Sequence, residues 1–135
     1  MRASYFDPVN EKTIVIQQCS EEDVPGLLDA ILAIRSHRGH PTLELTIPDG
    51  TSLALSTDGE LAYLVWISSL GDSCHSVGND QNTGESLVFD YLGSWSEAPR
   101  QYLVSLEDAV LCTQRFFHTG TADTDRVLFE PDRSA

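Results

Sequence analysis

A chain of 135 residues with 41% hydrophobic residues is long enough to bury one core and too apolar for a disordered acidic tail, despite a formal net charge of -13. Its eight basic residues form no patch along the sequence, which argues against a phosphate-binding protein, and no apolar run reaches the length of a membrane span. No basic segment followed by an apolar core opens the sequence, so no export signal is read and a cytoplasmic protein is expected.

In chain order, residues Thr13 to Gln18 read as a first strand. Ser20 then precedes Glu21, Glu22 and Asp23, an N-cap candidate followed by acids suited to the exposed amides of a first helical turn. Val24, Leu27, Leu28, Ile31 and Ile34 recur at helical spacing, with Arg35 and Arg38 expected near the negative helix end, before Gly39 and His40-Pro41 stop it. Leu43, Leu45 and Ile47 alternate with Glu44 and Thr46 as a half-buried strand does. Pro48-Asp49-Gly50 and Asp58-Gly59 are turn signals around a short strand from Ser52 to Ser56. Leu61 to Ser69 is the most apolar strand and is expected at the centre of the sheet. Links this short favour antiparallel neighbours, because parallel ones need crossovers of about a dozen residues.

Gly71 to Gly84 reads as a long polar loop before a strand from Glu85 through Tyr91. Tyr102 to Val104 offers a further short strand. Ser105, three residues before Asp108, is an N-cap candidate for a helix whose face carries Leu106, Ala109, Val110, Thr113, Phe116 and Phe117 and which ends at Thr119-Gly120. Arg126 to Glu130 is a last strand. The expected fold is α+β, an antiparallel-rich sheet with two helices packed against it, formed by residues 1–135 as one domain with a polar tail over about 131–135.

Charge is unevenly placed. From Gly39 to Pro99 there is no Lys or Arg, yet Glu44, Asp49, Asp58, Glu60, Asp72, Asp80, Glu85, Asp90 and Glu97 fall inside. Such a stretch attracts a basic partner and repels nucleic-acid backbones. Motifs for chemistry are sparse. The spacing of Gly71, Gly78 and Gly84 matches no nucleotide loop. Cys19, Cys74 and Cys112 are odd in number without CxxC spacing, which reads as reduced thiols, with Cys112 on a core-facing helix side. His75 with Asp72 and Asp80 is the one loop grouping from which a small hydrolase is conceivable. His37 and His40 lack further ligands, and His118 sits where a helix dipole favours it.

The second half resembles a known family. The resemblance is carried by Leu61-Ala-Tyr-Leu-Val-Trp66, Val77-Gly-Asn-Asp-Gln-Asn-Thr-Gly84 leading into Phe89-Asp-Tyr-Leu-Gly93, Val104-Ser-Leu-Glu-Asp-Ala109, Arg115-Phe-Phe-His-Thr-Gly120 and Val127-Leu-Phe129. Together these resemble immunity-protein family 1 of bacterial polymorphic toxin systems, which includes inhibitors of nucleic-acid deaminase toxins. The match is best over about residues 43–130, and Phe129 stands where relatives often carry tryptophan. The resemblance implies a small non-catalytic cytoplasmic protein that binds a toxin's C-terminal domain and blocks its active site or substrate access. The acidity of the chain adds the expectation of a basic cognate toxin domain and no nucleic-acid partner, its size that of a monomer before binding, and no cofactor, metal or membrane partner is expected. On charge and loop arguments its toxin interface is expected at Asp72, Asp80, Glu85, Asp90, Tyr91, Trp95 and Glu97, with Trp66 in the core. A hydrolase using the loop His and Asp groups, or an acidic binding module unrelated to toxins, stays open as the alternative.

Overall fold

Neighbouring apolar strands joined by tight turns can only fold back on one another, and the main sheet is built that way. The computed structural model describes residues 1–36, 39–78 and 84–132. In order it contains β1 (Arg2–Asp7), β2 (Lys12–Ile16), a 3-10 turn (Glu21–Asp23), α1 (Val24–Ala33), β3 (His40–Pro41), β4 (Leu43–Thr46), β5 (Ser52–Thr57) and β6 (Leu61–Ile67). There follow β7 (Ser73–Val77), β8 (Leu87–Tyr91), β9 (Ser94–Ala98), a second 3-10 turn (Arg100–Tyr102), β10 (Val104–Ser105), α2 (Leu106–Thr119) and β11 (Leu128–Pro131).

The described residues form an eight-stranded sheet in the order β11-β7-β6-β5-β4-β1-β2, with β10 also on β6. All its pairings are antiparallel. One edge of β6 pairs with β5; the other is shared, β10 taking Leu61 and Ala62 while β7 takes Val65 to Ile67. A separate three-stranded sheet sets β8 between a parallel β3 and an antiparallel β9. The fold is α+β, with both helices against the large sheet.

Strand alternation decides which face is buried beneath the helices. Leu43, Leu45, Leu53, Leu55, Ala62 and Leu64 share the helix side with Val24, Leu27, Leu28 and Ile31 of α1 and Ala109, Cys112 and Phe116 of α2. Each large aliphatic side chain buried there contributes roughly 1.5–3 kcal/mol. Leu61 and Tyr63 project from the opposite face of β6 into a smaller cluster with Leu87, Phe89, Ala98 and Leu103. The small sheet therefore covers part of the second face of the large sheet, over β6.

The caps act as the sequence predicts at α2: Ser105 Oγ accepts the Asp108 N–H at 3.1 Å, and Gly120 closes the helix at φ 77°. Several elements differ from expectation. Strand β1 is new; its sequence lacks clean alternation, but it is held on both edges, by β2 and β4. Helix α1 ends at Ala33 because Ile34 turns extended, which leaves Arg35 beyond its last turn; Arg38 lies outside the described residues. The expected loop from Gly71 contains β7, whose small polar side chains hide its alternation while β6 and β11 satisfy its backbone on either side. β9 is likewise new, and a 3-10 turn stands over residues 100–102 where a strand was expected to begin. β6 is interior, but the fully buried strand is its neighbour β5. Pro131, assigned to the polar tail by composition, closes β11 opposite Cys74.

Candidate functional site

The expected interface residues do not form one surface. Asp90 is 0% exposed, and its Oδ1 accepts the Gly93 N–H at 2.6 Å while its backbone carbonyl accepts the Thr42 N–H at 2.9 Å. The two residues that turn β8 into β9, Leu92 and Gly93, have φ of 51° and 93°, the left-handed pair that a two-residue hairpin requires. Asp90 thus braces that hairpin from inside and is not a surface contact. Tyr91 is half-buried on the side of the second cluster, and burial first, then the Glu44 carboxylate, pushes its phenol up.

Trp95 and Glu97 do come together. They sit two residues apart on β9, hence on one face, and both are exposed, Trp95 by 55%. Glu85 is exposed ahead of β8, but the Arg100 side chain lies against neighbouring Gly84, 3.0 Å from where a Cβ would be. Folding therefore brings a cation to a stretch that has none in sequence. Asp72 occupies the β6–β7 turn on the other sheet, where its carbonyl accepts the Ser68 N–H at 2.8 Å. Asp80 lies outside the described residues.

A second constellation is built around β7. Cys74 points to the helix side, its Sγ 3.7 Å from the Trp66 carbonyl, so His75 points to the other. His75 is 8% exposed, and its Nδ1 lies 2.5 Å from Asp132 Oδ1. Ser73 Oγ donates to the other oxygen of that carboxylate at 2.5 Å. The expected neighbour Asp72 is not its partner; the carboxylates beside His75 come from β11 and the residue after it, with Glu130 Oε2 3.8 Å from Nε2. The Tyr102 ring stands 4.3 Å from the imidazole.

Tyr102 is held in place by backbone contacts. Ser76 Oγ donates to its carbonyl at 2.8 Å and accepts the Leu64 N–H at 3.1 Å. Gly78 donates to the Gln101 carbonyl at 2.8 Å, and a Cβ there would lie 1.9 Å from the Leu103 carbonyl oxygen. No other residue admits so close an approach. Tyr63, His75, Tyr102, Glu130, Pro131 and Asp132 together line a hollow of about 500 Å³. Burial, with Asp132 and Tyr102 adding to it, pushes the Tyr63 phenol up to about 12, so it stays a neutral hydroxyl at ordinary pH.

This geometry lacks the features of a hydrolytic centre. Ser73 bonds the carboxylate rather than the imidazole, so no hydroxyl–imidazole pair is set up there. Among the described residues no three His, Cys, Asp or Glu side chains gather as a metal-ligand set. Trp66 packs against the main core as expected, edge-on to Phe129 with centroids 6.0 Å apart. His118 does more than face a helix dipole: its Nε2 lies 2.9 Å from Glu21 Oε2, tying α2 to the turn before α1. Among the described residues, no helix is long and apolar enough to cross a membrane.

The strands, the short aromatic strand and the helix ending at Gly120 follow the order that the resemblance implies, while most of the glycine-rich stretch from Val77 to Gly84 lies outside the described residues. A search among curated proteins found no match. The model of the family described as immunity protein Imm1 matches residues 15–128, reaching into the N-terminal strand and helix as well as the second half. The chain therefore belongs to the Imm1 family of immunity proteins, with the general toxin-binding role of that family and in keeping with a non-catalytic protein.

Proposed function

We propose that this protein neutralises a cognate toxin domain directed at nucleic acid, such as a deaminase, by covering its active site or substrate surface. The observation that carries this reading is an exposed Trp95 beside Glu97 on the outer face of β9, in an Imm1 protein with a net charge of -13. A toxin that handles DNA or RNA needs a surface that attracts phosphate. An acidic inhibitor matches that surface, gains association rate from it, and needs no chemistry of its own. An exposed indole supplies the concentrated apolar contact that holds such a complex once formed.

In this reading Glu85, ahead of β8, and Asp72, in the β6–β7 turn of the other sheet, add negative charge away from the Trp95–Glu97 face, and the protein works in the cytoplasm as a monomer until it meets its toxin. The test is co-expression with the toxin domain encoded beside it. Cell survival together with a one-to-one complex in the extract supports the reading. Soluble, folded protein that neither rescues the cell nor binds the toxin contradicts it.

A further inference from the structure

We propose that the open edge of β9 takes up an extended segment of the toxin domain as a further strand of the small sheet, joined through the main chain of Trp95 and Glu97. The proposal rests on the immunity reading and supplies its binding mode.

The phase of the hairpin decides which groups of β9 are free. A two-residue turn at Leu92 and Gly93 makes Tyr91 and Ser94 a hydrogen-bonded pair, and such pairs alternate along an antiparallel ladder. Phe89 with Ser96 and Leu87 with Ala98 are therefore bonded, whereas Asp90 opposite Trp95 and Val88 opposite Glu97 are not. The other edge of β8 agrees with this phase, because the Asp90 carbonyl turns away from β9 to accept the Thr42 N–H beside β3 at 2.9 Å. The N–H and C=O groups of Trp95 and Glu97 thus point out of the sheet edge. β9 is the last strand on that side, and none of these main-chain groups takes part in a hydrogen bond among the described residues.

Native proteins usually blunt such edges. β3 is two residues long and holds Pro41, β11 ends in Pro131, and β2 carries Lys12, which repels a basic partner. β9 has five residues in unbroken register, with neither Pro nor Lys. Its one charged residue is Glu97, which in a chain of net charge -13 selects against a second copy and for a basic segment. The side chains define the sequence that fits. Trp95 and Glu97 share a face, so the incoming strand sets an apolar residue against the indole and, two positions along, a Lys or Arg against the carboxylate. Main-chain bonds hold the segment, and these two side chains select it.

The test is residue-resolved amide exchange on this protein, free and bound to a catalytically inactive form of the toxin domain encoded beside it. We expect the Trp95 and Glu97 amides to exchange fast in the free protein and about tenfold or more slowly in the complex, while the ladder amide of Ser96 is protected in both. Glu97→Pro is the companion variant, because it deletes an N–H that bonds nothing in the free protein, a change that an edge strand tolerates. Glu97→Gln controls for the lost charge, and thermal melting confirms that both variants are folded. By calorimetry, Glu97→Pro is expected to bind about tenfold or more weakly than Glu97→Gln. Fast exchange at Trp95 and Glu97 in the complex, or equal affinity of the two folded variants, overturns the proposal while leaving immunity standing. Slow exchange there in toxin-free protein of twice the chain mass gives the edge to a second copy and overturns it as well. Absence of binding by the unaltered protein overturns the immunity reading itself, and this added strand with it.

Discussion

Asp132 and His75, separated by 57 positions in sequence, meet at 2.5 Å, and Ser73 closes on the same carboxylate. The carboxylate of a residue beyond the last strand thereby fastens β11 to β7. Asp132→Ala removes both side-chain bonds and leaves a mostly buried imidazole nitrogen without its acceptor. Because Asp132 is partly exposed, the expected loss is about 1 kcal/mol. Urea denaturation measures it, and amide exchange accelerated at Leu128 to Glu130 but not in α2 locates it. Equal protection in β11 before and after the change contradicts the fastening role.

Asp90 provides the contrast between a carboxylate used for binding and one used for folding. Its Oδ1 satisfies the Gly93 N–H in a hairpin whose Leu92 is held at a positive φ. Asp90→Ala is expected to destabilise the protein by about 1–3 kcal/mol, read from the urea midpoint. Glu97→Gln, on the opposite strand and exposed, is expected to change the midpoint by less than about 0.5 kcal/mol. Similar losses for the two changes contradict this division of roles.

Alkaline pH reports on the core. Burial pushes the Cys112 thiol from its ordinary 9.0 up to about 11, against a smaller opposing bond from Thr124. The unfolded chain ionises first as pH rises, so the contribution of this thiol is fully present below about pH 9 and is lost as pH climbs through about 11. Tyr63 acts in the same direction between its ordinary 10.0 and about 12. Stability measured against pH is therefore expected to fall over that range, and Cys112→Ala to flatten the fall between about 9 and 11. An unchanged slope in the variant contradicts the assignment.

The surface carboxylates and Trp95 are expected to affect different rates. Asp72→Asn, Glu85→Gln and Glu97→Gln together lower the toxin association rate several-fold at low salt, with the difference shrinking as ionic strength rises. Trp95→Ala chiefly speeds dissociation, by about tenfold or more, because it removes buried contact rather than long-range attraction. Stopped-flow mixing with the toxin domain separates the two. Rates insensitive to salt and to all three neutral substitutions contradict a charged interface.

What sequence reveals here follows from the range of the interactions. The second helix is legible to within a residue because its signals are local: Ser105 before Asp108, apolar residues at helical spacing, Gly120 at the end. The chain from Leu43 to Ile67 is legible as a meander because alternation and turn residues agree. β1 and β7 escape notice because each owes its place to pairing on both edges rather than to a pattern of its own. His75 stands out as a residue, but Asp72, named beside it in the loop, is not its partner, and Asp80 lies outside the described residues. The carboxylates found next to the ring come from Glu130 of β11 and Asp132 just after it, at the far end of the chain. Asp90 misleads for a related reason. Alternation assigns it a face but not the hairpin that encloses it.

The most direct test of the central claim is to assay the purified toxin domain on its nucleic-acid substrate while titrating in this protein. The account predicts that turnover falls linearly to near zero at one equivalent, that excess substrate slows the onset of inhibition, and that Trp95→Ala weakens it. Turnover unaffected at many equivalents, with the protein folded and the toxin active, contradicts it.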